Sequence, residues 1–140
     1  MATMSSAQIE TFLQAPRHAI VGTNSADGPP QLSPVWYVYA QGRLYISAGP
    51  GTAKCRNLQR DPRISVCIDG CFPDFRTVIV CGRAELIEAG DPLQEEMRWR
   101  IIRQYHDSEE EARRYAEATQ DEASVLIVVT PDRIISQDYN

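Results

Sequence analysis

The sequence predicts a mainly β protein, a mostly antiparallel barrel with peripheral helices, built as one domain over residues 1–140. Three observations carry that expectation. Short β-branched and aromatic runs recur at hairpin spacing, separated by turn residues such as Asp27-Gly28 and Gln41-Gly42. Helical periodicity is confined to single interruptions and never alternates regularly with strands, as a doubly wound parallel sheet requires. The length of 140 residues, 43% of them apolar, suffices for a substantial core.

Taken in order, Ser5 caps a short amphipathic helix whose Ile9, Phe12 and Leu13 share one face. Arg17 to Asn24 is a first strand and residues 26–30 a turn. Gln31 to Ala40 is a second strand, with Pro34 marking an edge or bulge. A third strand begins at Arg43. Gly49-Pro50-Gly51 breaks it, and Thr52 is a good N-cap for a helix over Ala53 to Arg60. Asp61-Pro62 ends that helix, because the residue before Pro is pushed out of the α region. Arg63 to Asp69 and the long run Phe75 to Glu88 are strands, with Gly82 a candidate bulge. Asp91-Pro92 opens a helical insert over about 91–119, in which Leu93, Met97, Ile101, Ile102 and Tyr105 recur at helical spacing. Val125–Val129 is a fully buried strand and Asp132–Ile135 a last extended piece.

Composition excludes several classes. Residues 1–84 carry a net charge of +3, residues 85–122 carry −7 and the remainder −1. An acidic chain without a basic stripe argues against nucleic acid as partner, and the mildly basic first half suits a small anionic ligand. No run of 18 apolar residues is present, so no membrane partner is expected, and the start lacks a secretory pattern. A cytoplasmic location is the expectation. Cys55, Cys67, Cys71 and Cys81 contain no C-x-x-C pair, so they are expected to be reduced and structural, with no metal site.

The stretch with the most chemistry is the glycine turn running into the helix at 53–60. Backbone N–H groups at a helix start can face an anion. Lys54, the only lysine among 14 basic residues, sits in that first turn. A solvated connector is the alternative reading. Neither the nucleotide P-loop nor the dinucleotide fingerprint is present, since Lys54 lies between Ala53 and Cys55 and a third glycine is missing.

The order Pro34-Val35-Trp36-Tyr37, Leu44-Tyr45-Ile46-Ser47, glycine turn, Thr52-Ala53-Lys54-x-Arg56-Asn57-Leu58-x-x-Asp61-Pro62-Arg63, then Gly82-Arg83-Ala84-Glu85-Leu86 resembles the pyridoxamine 5′-phosphate oxidase-like split β-barrel superfamily. Within it, the chain is most similar to small oxidoreductases that use coenzyme F-420 or FMN. The similarity covers residues 9–135. It implies a six-stranded antiparallel, FMN-binding split barrel of Greek-key type, a homodimer, and a cofactor in grooves between subunits. It also implies that Lys54 contacts the cofactor phosphate, with the helix start at Thr52-Ala53 beside it. Many relatives have a basic residue where this chain has Ala53, which leaves Arg56 or Arg60 as helpers. Ser33, Pro34, Val35 and Trp36 match the strand along the ring. Ile46, Ser47 and Ala48 match the strand end beside the ring and ribityl chain. Asn57 belongs to the same matched block, and Arg76 is placed to reach the cofactor of either subunit.

Packing explains Trp36 equally well, and ion pairing explains Arg76. Trp99 and Arg103 lie on the insert, either over the substrate side or in helix packing. A true pyridoxamine-phosphate oxidase is disfavoured, because its C-terminal phosphate motif has no counterpart after Ile135. The implied activity is hydride transfer between F-420, slightly favoured, or FMN and a small unsaturated acceptor. An F-420 tail would call for extra Arg at Arg56, Arg60 and Arg17. No catalytic acid or base is assigned: His18 starts a strand, His106 ends a helix, and packing accounts for Tyr37 and Tyr39. The alternatives are a non-catalytic flavin- or haem-binding sensor on the same barrel, or a dimeric scaffold without cofactor.

Overall fold

In the computed structural model, which describes residues 2–140, one sheet of seven antiparallel strands curls into a split barrel with helices at its periphery. The chain runs α1 (Ser6–Gln14), β1 (His18–Thr23), β2 (Gln31–Val35), β3 (Val38–Ala40), β4 (Arg43–Ala48), α2 (Ala53–Arg60), β5 (Arg63–Asp69), β6 (Arg76–Ile87), α3 (Pro92–Gln104), α4 (Glu109–Ala118) and β7 (Val125–Asp138). In space the strands follow β2-β1-β5-β6-β7-β4-β3. None of the helices among the described residues is long and apolar enough to cross a membrane.

Seven strands appear where six were expected, because the stretch 31–40 is cut at Trp36-Tyr37. Its first half pairs with β1, Ile20 opposite Pro34, and its second half pairs with β4, Val38 opposite Tyr45. These halves lie at opposite edges of the sheet. Two residues join them, so the edges cannot stand more than about 11 Å apart. The sheet therefore has to curl. The cut also ends the alternation of a half-buried strand, since Tyr37, Val38 and Tyr39 are all buried in succession.

Both faces of β3, β4 and the first half of β7 are covered. On the inside, Leu44, Ile46, Ile127 and Val129 join Phe12, Val66 and Val80 in the main core. On the outside, Val38, Tyr45, Leu126 and Val128 pack under Met97 and Ile101 of α3. Two covered faces require an unbroken apolar run, which is why Leu126–Val129 shows no alternation. Each buried aliphatic side chain stabilises by about 1.5–3 kcal/mol.

The expected break between 129 and 132 is absent: β7 continues through Thr130-Pro131 to Asp138. The β6–β7 register shifts at Cys81/Gly82, with Gly82 opposite Pro131. A Cβ on Gly82 would lie 2.1 Å from the Thr130 carbonyl oxygen, so only glycine allows this approach. Ser5 forms a capping box with Gln8, Asp91 caps α3 through the Leu93 N–H, and Ser108 caps α4. The four cysteines are free, and burial, with Asp69 adding to it, pushes the Cys67 thiol up.

Candidate functional site

The helical insert is anchored at both ends of α3. Gln94 Nε2 donates to Ser124 Oγ at 2.8 Å, fixing its start, and Gln104 Nε2 donates to the Tyr37 carbonyl at 2.7 Å, fixing its end. Tyr105 completes the anchor. Its hydroxyl accepts the Tyr37 N–H at 3.3 Å and donates to the Arg17 carbonyl at 2.9 Å. The Tyr105 ring stacks on Trp36, centroids 5.0 Å apart and planes 6° from parallel. His106 and Tyr115 close around the same indole at 5.7 and 5.4 Å. The strand cut is thus clamped by the insert.

Between insert and sheet lies a groove of about 520 Å³. The sheet contributes His18 of β1, Pro34 and Val35 of β2, Trp36, and Ser47 and Ala48 of β4. Gly49 and Lys54 come from the turn and α2. Arg98, Ile101 and Ile102 of α3, with Tyr115 and Thr119, form the opposite wall, and residues 122–124 complete it. A volume of this size takes a cofactor-sized organic molecule.

At the α2 end the local chemistry favours an anion. Thr52 occupies the N-cap position, yet its side chain does not cap: the hydroxyl donates to the Gly49 carbonyl at 2.7 Å instead. That bond closes the glycine turn and leaves the first-turn N–H groups without a side-chain acceptor. Lys54, half-buried, makes no ion pair or hydrogen bond among the described residues. Ser33, expected along the ring, does not line the groove, and its Oγ is buried without a partner. A half-buried cation and an uncapped helix start on one groove fit a phosphate-bearing cofactor.

Several expected site residues lie elsewhere. Ile46 points into the core and is wholly buried, because strand alternation gives the groove Ser47 and the strand end Ala48. Asn57 is buried and donates to Thr23 Oγ1 at 3.1 Å, tying α2 to β1. Ala53 precedes Lys54 without lining the groove. Arg56 is turned back onto the Gly51 carbonyl, and Arg60 donates to the Asn24 carbonyl. Arg76 binds Asp74 with two nitrogens, at 2.8 and 2.7 Å, and lies 5.1 Å from the centre of the Phe12 ring. Arg17 donates to the Phe12 carbonyl at 2.8 Å and reaches the same Asp74 at 3.4 Å. Arg76, with Asn140 adding to it, holds the Asp74 carboxyl well below the usual range.

Trp99 packs beside Arg113 between α3 and α4, and Arg103 donates to the His106 carbonyl, so both serve helix packing. Neither Tyr37 nor Tyr39 lines the groove. Burial pushes the Tyr37 phenol up, and its hydroxyl donates to the Ala15 carbonyl at 3.0 Å. Tyr39 is pushed up to about 12 by burial and by Glu10, which accepts its hydroxyl at 2.9 Å. His106 Nδ1 is engaged by the Ile102 carbonyl at 2.7 Å. His18, in contrast, lines the groove.

Sequence reasoning missed the wall made by Arg98, Ile101, Ile102, Tyr115 and Thr119. The available signal was spacing: Arg98 shares a helical face with Ile101 and Ile102, while Trp99 and Arg103 fall beside that face.

The pyridoxamine 5′-phosphate oxidase family model matches residues 5–138. A conserved hypothetical protein from Mycobacterium tuberculosis is similar at 27% identity and a TM-score of 0.80, over 96% of this chain and 85% of that one. An FAD-binding protein from Mesorhizobium loti shares the fold at 22% identity and a TM-score of 0.75, over 99% and 98%. An F420 reductase shares it at 21% identity and a TM-score of 0.68, over 89% and 94%. No curated protein sequence matches significantly.

Proposed function

The chain belongs to the pyridoxamine 5′-phosphate oxidase family, and on that premise we propose that its groove holds a phosphate-bearing flavin or deazaflavin, FMN or F-420, for hydride transfer to a small unsaturated acceptor. The observation that carries this reading is Lys54: a half-buried cation without a partner among the described residues, in the first turn of an uncapped helix, opening on a groove of about 520 Å³. The neighbours titled FAD-binding protein and F420 reductase support the same cofactor class.

The cofactor, when bound, supplies the redox chemistry. Lys54 and the α2 N–H groups hold its phosphate. Backbone at Pro34–Trp36 and at Ser47-Ala48 lies along the groove and orients the ring. Ile101, Ile102 and Tyr115 keep water from that face. The three arginines expected to meet an F-420 tail are engaged by this chain's own carbonyls or by Asp74, so none of them favours F-420 over FMN.

A homodimer belongs to the same reading. Pro34, Ile20, Cys67, Ile79 and Ile135 sit side by side in one uncharged row across five strands of the outer sheet face. Ile20 is 37% exposed and Leu32, in the next row, 66%. A second copy would cover that surface.

The test is titration of FMN and of F-420 against wild type and Lys54→Met. One cofactor is expected to bind at micromolar affinity or better. The substitution should weaken it about 10- to 150-fold, the range for losing one hydrogen bond to a charged group. Binding of neither cofactor, or equal binding by the variant, would overturn the reading.

A further inference from the structure

We propose that Arg98 selects the acceptor by binding a carboxylate, so that the substrate class is a planar unsaturated acid. This rests on the groove being the cofactor site and adds a role on its opposite wall. Arg98 is half-buried and lines the groove. Only its Nη2 is engaged, donating to Thr119 Oγ1 at 2.7 Å and to the Ala116 carbonyl at 3.4 Å. Nε and Nη1 make no hydrogen bond among the described residues, and no carboxylate lies within ion-pair distance. A guanidinium has five donors in a planar fork, and two free nitrogens match the two oxygens of a carboxylate.

The absence of a partner is informative because acids are plentiful nearby. Residues 85–122 hold twelve acidic side chains against five basic ones. Arg113 and Arg114 of the same insert pair with Glu109 and Glu110, and Arg100 and Arg103, without an ion pair among the described residues, are exposed, which leaves Arg98 the one half-buried arginine of the insert that no acid meets. Glu122 lines the groove too, but it is exposed and makes no ion pair. Holding a cation half out of water without an anion is unfavourable, and an arriving carboxylate removes that cost. Thr119 keeps the guanidinium in place, its own hydroxyl donating to the Tyr115 carbonyl at 2.8 Å. Trp36, Ile101, Ile102 and Tyr115 give the same space apolar and aromatic walls, which accept a flat hydrocarbon body.

The experiment is calorimetric titration of trans-cinnamate and of its uncharged isostere, cinnamamide, into wild type, Arg98→Gln and Arg98→Lys. Each protein is measured without cofactor and with FMN or F-420 present, and cofactor affinity is measured separately. Gln removes the charge and the guanidinium fork while keeping a polar amide on the same helix face. The expected result is that wild type prefers cinnamate, that Arg98→Gln loses about tenfold or more of cinnamate affinity with cinnamamide unchanged, and that Arg98→Lys recovers part of it. Cofactor affinity should stay within about twofold in both variants, in contrast to Lys54→Met. Equal binding of acid and amide by wild type, or no binding of cinnamate at millimolar concentration, overturns the inference. So does a fall in cofactor affinity in Arg98→Gln, which would assign the guanidinium to the cofactor. If neither cofactor binds but cinnamate still depends on Arg98, the anion site stands and the cofactor reading falls.

Discussion

Removing the Tyr105 hydroxyl tests whether the insert is what fixes the strand cut and the groove wall. That hydroxyl bridges the Tyr37 N–H, at 3.3 Å, and the Arg17 carbonyl, at 2.9 Å. Tyr37 is wholly buried, so water cannot replace its lost acceptor, whereas Arg17 is half-buried and its carbonyl is better placed for rehydration. One fully and one partly orphaned group cost about 1–2 kcal/mol. For a chain of this length that lowers Tm by roughly 3–8 °C. Tyr105→Leu adds the loss of the parallel stack on Trp36, about 0.5–1.5 kcal/mol beyond burial. Burial pushes the Tyr105 phenol up, so the cost of Tyr105→Phe should be the same at pH 6 and pH 8. The assay is urea denaturation followed by tryptophan emission in a Trp99→Phe background, which leaves Trp36 as the only indole. Tyr105→Phe should lower stability with native emission nearly unchanged, and Tyr105→Leu should lower it further and shift Trp36 emission to the red. A Phe variant within about 0.5 kcal/mol of wild type, or a Leu variant with unchanged emission, would refute the clamp.

Two further outcomes follow from the same geometry. Asp74→Asn removes the charge and the Oδ2 acceptor that Arg76 and Arg17 share, and because the group is partly exposed the expected cost at pH 7 is about 1 kcal/mol. The native carboxyl is held below its ordinary value. Its contribution is therefore complete above about pH 4 and lost as pH falls through the lowered native value, so the Tm gap between variant and wild type should close in acid and not in base. Ile20→Glu with Ile79→Glu places charges in the uncharged outer row. Analytical ultracentrifugation should show wild type sedimenting as a dimer and the double variant as a monomer, and a wild-type monomer would remove the interface from the proposal.

What the sequence determined by itself was local. Turn chemistry at Asp27-Gly28 and Gln41-Gly42, the caps at Ser5, Asp91 and Ser108, and the stop at Asp61-Pro62 act within a few residues, and the elements they bound stand where periodicity placed them, except that the run Gln31 to Ala40 is cut in two. Lys54 was identifiable for the same reason, as a lone lysine in the first turn of a helix that the flanking glycines and proline define. Partner choice was not local. Nothing in Gln31 to Ala40 says that its halves pair with strands at opposite edges, because each half alternates or packs according to a neighbour distant in sequence. Nor does Thr52 reveal whether its hydroxyl accepts from the first-turn N–H groups or donates to the Gly49 carbonyl, since both lie close in sequence. Ile46 and Asn57 carry the right motif, yet strand alternation turns one into the core and the seating of α2 turns the other onto Thr23. Arg98 is the converse case: no motif marks it, and only the folding of the insert back over Trp36 brings its guanidinium into the groove.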